Sequence, residues 1–104
     1  MDMADMPLGG NKLKLIDVID QLESFDDEST IYVEQPWSPD SLALVAVELE
    51  DGGIPDEAAK INAEYFLEVF LANEFLEGWL SSFNQAPSVK DQCLRLIEYA
   101  EHDA

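Results

Sequence analysis

The sequence predicts a single α+β domain, a two-stranded antiparallel hairpin packed by three helices in the order α-β-β-α-α. Three observations lead there. Thr30-Ile31-Tyr32-Val33-Glu34 alternates and is rich in β-branched residues, while Leu42 to Leu49 is apolar at nearly every position, so both read as strands. Between them, Gln35-Pro36-Trp37-Ser38-Pro39-Asp40-Ser41 carries two prolines that break the ladder and leave a stiff hairpin loop. From Glu57 to about Phe83 the chain reads as one long helix with too few polar positions to stand free.

Taken in order, residues 1–10 end in Pro7-Leu8-Gly9-Gly10 and read as a flexible arm, leaving residues 11–104 as the domain. Asn11 is the expected N-cap of a first helix over residues 12–24, with Leu15, Val18, Ile19 and Leu22 as its buried stripe. Its charges oppose the helix dipole, with Lys12 and Lys14 in the first turn and Asp17, Asp20 and Glu23 in the later ones. Packing has to hold this helix, or Lys12-Leu13-Lys14-Leu15 begins as a short strand. Phe25-Asp26-Asp27-Glu28-Ser29 is a turn, after which Ile31 and Val33 face inward.

The second strand reads as covered on both faces, and a hairpin gives it one neighbour. A short N-terminal strand at Leu13–Leu15, or a partner chain, is therefore expected to extend the pair. Asp51-Gly52-Gly53 is a turn, and Ile54-Pro55-Asp56-Glu57 puts proline and acids at a helix start. Along the long helix Glu57, Lys60, Glu64 and Glu68 share one face, with Phe66 and Phe70 opposite; further on, Leu71 and Phe75 take over the polar line. A continuous helix contacting different neighbours along its length accounts for the change. Gly78 within it implies close packing or an early end. Ser88-Val89-Lys90-Asp91 has the form of a capping box, opening a last helix with Val89, Cys93, Leu96, Ile97 and Ala100 on one face and a frayed end over residues 98–104.

Composition restricts function more than any motif does. With 23 acidic residues against five Lys and Arg, the formal charge is −18, a field that repels nucleic acid and anionic membrane and attracts basic surfaces. A hydrophobic content of 47% separates the chain from acidic disordered proteins. Neither a secretory signal nor a run of about 18 apolar residues is present, and the single cysteine fits a reducing compartment, so a cytoplasmic location is expected.

Candidate chemistry is sparse. His102 lies near the C-terminus without neighbours to orient it, and Cys93 sits on an apolar stripe as a buried thiol would. The acid clusters Asp26-Asp27-Glu28, Glu48 with Glu50 and Asp51, and Glu64 with Glu68 lack the spacing of a calcium loop, and Gly9-Gly10 and Gly52-Gly53 lack that of a phosphate loop. No catalytic residue, cofactor or metal is expected, and the chain is read as non-enzymatic.

Two features suggest a partner surface. Trp37, framed by Pro36 and Pro39 and followed by Asp40, is either a displayed anchor or a ring that folds back to close the core. Glu64 and Glu68 beside Leu71, Phe75 and Trp79 offer carboxylates around apolar surface. The function expected is sequestration of a basic protein partner. The alternative is a structural or housekeeping homodimer whose acidity only solubilises it. In size and acidity the chain resembles many bacterial immunity and antitoxin proteins, a likeness of composition and not of motif.

Overall fold

The computed structural model describes residues 13–47 and 53–103 of the chain. Its centre is an antiparallel sheet in the order β1-β3-β2-β4, formed by β1 (Leu13–Lys14), β2 (Ser29–Glu34), β3 (Leu42–Val47) and β4 (Ala63–Glu68). The helices are α1 (Leu15–Asp20), α2 (Asp56–Lys60), α3 (Val69–Leu80) and α4 (Val89–Asp103), with a 3-10 turn at Leu22–Ser24. The α+β class is as expected. The sheet has four strands instead of two, and the order of elements changes accordingly.

The central hairpin forms where the sequence places it, with Ile31 opposite Val45 and Val33 opposite Ala43. Its loop, entered through a cis Gln35-Pro36 bond, is pinned by Ser41, whose Oγ accepts from the Ser38 N–H at 2.9 Å and donates to the Pro36 carbonyl at 2.8 Å. β3 finds its second neighbour in β1, where Leu13 pairs with Ala43 and Lys14 with Leu42. The short N-terminal strand thus replaces the first turn of the expected helix. The Leu15 and Ile16 amides go to the Ser41 and Pro39 carbonyls, which delays the helix until Leu15. It then breaks at Gln21, with no basic residue in its last turn. The expected cap at Asn11, the strand end at residues 48–49 and the glycine turn at residues 51–52 lie outside the described residues.

The long helix over Glu57–Phe83 does not form. α2 stops after five residues, Asn62 turns the backbone into the left-handed region at φ 57°, and the chain becomes strand β4 before α3 begins at Val69. The reason lies in β2, which is buried along five of its six residues and has backbone groups on its outer edge to satisfy. β4 satisfies them, and a register shift between Ile31 and Tyr32 makes Phe66 the extra residue of a bulge. The bulge lets consecutive Phe66 and Leu67 enter the same core. Glu57, Lys60, Glu64 and Glu68 consequently share no helical face, and the change of polarity near Leu71 marks the passage from strand to helix.

Alternation along the strands separates two layers of packing. Ile31, Val33 and Ala43 point toward α1, α3 and α4 in the main core, while Tyr32 and Leu44 point the other way, against Ala58 of α2. α4 follows its expected stripe: Cys93, Leu96, Ile97 and Ala100 are buried, and the Asp91 N–H donates to Ser88 Oγ at 3.1 Å. Instead of fraying from Glu98, it stays helical to Asp103, because Tyr99 and Ala100 are still packed on the core.

Candidate functional site

The residues expected to form a partner surface are dispersed by the fold. Trp37 turns inward, its ring edge-on to Phe66 with centroids 4.9 Å apart and its Nε1–H donating to the Val33 carbonyl at 3.2 Å. What it leaves outside lines an open depression of about 380 Å³ with Gln35, Pro36 and Glu101. Asp40 is exposed at the end of the same loop, 3.9 Å from the Lys14 ammonium. Glu64 and Glu68 lie on edge strand β4, and Leu71 is half-buried in the first turn of α3.

Phe75 and Trp79, half-buried on α3, are each engaged within the chain. Phe75 stacks on Tyr99 of α4 at 4.2 Å with the Arg95 guanidinium 5.0 Å from its ring centre, and Trp79 meets Phe83 edge-on at 5.0 Å. Much of the apolar surface assigned to a partner is therefore covered by α4 and by the segment that follows α3.

A different surface gathers carboxylates around apolar side chains. Between the end of α1 with its 3-10 turn and the second half of α3 runs a groove of about 1020 Å³. Beneath it Ile19, Leu22 and Leu76 are buried in the main core, and Leu80 is half-buried at its edge. Asp20, Glu23, Asp27 and Glu77 contribute acid groups along it, and among the described residues no Lys, Arg or His lines it. None of these four carboxylates takes part in an ion pair with a described residue.

Local structure explains the placement. Asp26 closes its turn by accepting the Glu28 N–H on Oδ1 at 3.0 Å and the Ser29 N–H on its carbonyl at 2.9 Å, which orients Asp27 as β2 begins. The Asp27 carbonyl then accepts the Phe70 N–H at 3.3 Å and ties this turn to the start of α3. Asp20 ends α1, and Glu77 lies in the last turn of α3, which has no basic residue there. Both positions are where a helix dipole disfavours an anion, so the ends of two helices add their partial negative charge to that of the side chains.

Comparison with known proteins found no matching family model, no matching curated protein and no matching solved structure. The chemistry of the groove is the remaining guide. Its carboxylates suit cationic groups. Among the described residues no group of three or more His, Cys, Asp or Glu is placed to hold a metal ion, and no helix is long and apolar enough to cross a membrane. Cys93 is fully buried, and its thiol is pushed up to about 12 by burial first and by the Asp40 charge second, far from a nucleophile's range. His102 is exposed on the last turn of α4.

Sequence reasoning did not assemble this groove. Its one signal was the crowding of Asp17, Asp20 and Glu23 against the dipole of the first helix, which reads from sequence as a cost with no return. Asp27 appeared in an acidic turn and Glu77 on another helix, and only the sheet brings them to opposite walls of one groove.

Proposed function

We propose that this chain is a non-enzymatic binding protein that sequesters a basic protein partner in a reducing cytoplasm, in the manner of an immunity protein or antitoxin. The observation that supports this is the groove: four carboxylates, two of them (Asp20 and Glu77) at helix ends where they weaken the helix, with no cation among its described lining residues. Residues that break a local rule are retained where function needs them. A net charge of −18 adds a long-range field that speeds encounter with a basic surface. A homodimer would bury Leu71, Phe75 and Trp79 and cover the second strand; the contacts of Phe75 with Tyr99 and Trp79 with Phe83, and the pairing of β3 with β1, leave it less to explain.

The test is to isolate the protein retained by the immobilised chain from extracts of its own source, and to titrate the purified pair over a range of salt. The reading expects a Lys- and Arg-rich partner whose affinity falls steeply as ionic strength rises, because exposed charge pairs are screened over about 8 Å at physiological salt. An affinity that stays flat from about 0.05 to 0.5 M salt ends it.

A further inference from the structure

We infer that the depression between the hairpin loop and α4 receives one arginine side chain of the basic partner, its guanidinium lying against Trp37 and Pro36 and bonded to Glu101. This rests on the reading that the partner is a basic protein, and adds an anchor point separate from the groove. The described lining residues are Gln35, Pro36, Trp37 and Glu101, around about 380 Å³. That volume is at the low end for ligand pockets, about 300–1,000 Å³, and suits a single side chain.

The walls are fixed before anything binds. Ser41 Oγ donates to the Pro36 carbonyl at 2.8 Å, and the Trp37 ring is held by its bond to the Val33 carbonyl and by Phe66. Glu101 follows Ala100, which is buried, on a helix that runs to Asp103. Pro36 and Gln35 are exposed and Trp37 is half-buried, so the apolar wall can be touched from outside. A preorganised pocket beside a tryptophan is a common setting for an interface anchor.

Chemistry selects the occupant. Glu98 and Asp40 each have a cation within the chain, Arg95 at 3.0 Å and Lys14 at 3.9 Å, whereas Glu101 forms no ion pair with a described residue. It lies in the last turn of α4, whose dipole adds partial negative charge there. A cation is therefore favoured, and the apolar wall chooses its kind. A guanidinium is planar and weakly hydrated, so its face can rest on an aromatic ring while its edge forks onto a carboxylate. An ammonium in the same place would turn donors toward apolar surface. A second copy of this chain is a poor source of the group, since its single arginine, Arg95, lies over Phe75 and is paired with Glu98.

The probe is blocked arginine, N-acetyl-arginine methylamide, titrated into the full chain at about 0.15 M salt and followed by NMR. Blocked lysine carries the same charge, and blocked citrulline has the same shape without it. Arginine should shift the Trp37 indole N–H and the Gln35 and Glu101 amides saturably, and leave the indole of Trp79, outside the depression, in place. Lysine should bind at least about threefold more weakly, and citrulline at least about tenfold. Glu101→Gln should weaken arginine about tenfold. Glu57→Gln, which removes the same charge from an exposed position elsewhere, should weaken it less than about twofold.

Shifts spread over the acidic surface, both indoles moving together, or equal weakening by the two variants would overturn the depression as the site. Equal binding of lysine would overturn the guanidinium, and equal binding of citrulline the need for charge. The partner retained from extracts gives a separate check, since Glu101→Gln should hold it about tenfold less tightly. If Glu101→Gln holds it as well as the unaltered chain does while both lose it to salt, the arginine anchor falls and the basic-partner reading stands. An affinity flat in salt ends both.

Discussion

The indole of Trp37 stands edge-on to the ring of Phe66, centroids 4.9 Å apart and planes at 84°, and so connects the hairpin loop to the bulge of β4. This is the arrangement aromatic pairs prefer. Trp37→Ala should therefore lower folding stability by about 2 kcal/mol or more. Trp37→Phe, which keeps a ring but loses the hydrogen bond to Val33, should cost about 1 kcal/mol. Urea unfolding of the two variants checks both, and an unchanged midpoint for Trp37→Ala would mean the ring carries no packing.

Alanine should act in opposite directions at two positions of the stretch that reads from sequence as one helix. At Asn62 the backbone is left-handed, φ 57°, so Asn62→Ala should destabilise by about 1 kcal/mol and Asn62→Gly should not. At Gly78 an added Cβ meets no atom of the described residues within 4 Å, so Gly78→Ala should stabilise by about 1 kcal/mol. Were residues 57–83 one helix, alanine would stabilise at both sites and glycine would weaken site 62. Thermal melts of the three variants separate the two cases.

Thr30 is 1% exposed in β2, and its Oγ1 has no hydrogen-bond partner among the described residues. Burying a hydroxyl without a partner costs about 1–3 kcal/mol. Thr30→Val, which replaces it by a methyl of similar shape and keeps the β-branch, should raise stability by about 1 kcal/mol. A drop in the unfolding midpoint would show that the hydroxyl is bonded in solution.

The Cys93 thiol, raised to about 12 by burial and then by Asp40, stays protonated in the folded chain where the unfolded chain ionises from about 8.5. A raised pKa of this kind gives full stability below the unfolded value and loses it as pH climbs toward the folded one. Unfolding midpoints should accordingly decline above about pH 8.5, and the decline should be shallower in Cys93→Ala. In parallel, alkylation at about pH 8 should be slow in buffer and fast in denaturant. Rapid native alkylation would contradict the burial.

Some parts of this fold are legible in sequence because their signal is local. The capping residues Ser88 and Asp91 and the stripe from Cys93 to Ala100 define α4 within fifteen residues, and the alternation of β2 with the prolines after it defines the hairpin. β4 was illegible for a specific reason. Its bulge puts Phe66 and Leu67 on one face, which erases the period-two pattern and leaves a run that also fits a helix. The left-handed residue that separates α2 from β4 is an asparagine, where a glycine would have signalled the stop more plainly. Trp37 was legible as the centre of a stiff loop, but the direction of its ring depended on Phe66, nearly thirty residues away. The groove depended on still more distant segments, since its walls belong to residues 19–27 and 73–81.

Among the described residues the two ends of the sheet are unequal, with two residues of β1 at one and six of β4 at the other. A long edge is a template on which another copy can crystallise a strand and start a fibre. β4 carries its own obstruction. Two copies meeting antiparallel about Phe66 would set Glu64 of each against Glu68 of the other, a like-charge opposition repeated by the symmetry. The same glutamates that look from sequence like a partner's landing site thus act as gatekeepers of colloidal stability, and Glu64→Thr with Glu68→Thr should shorten the lag before thioflavin-positive fibres form.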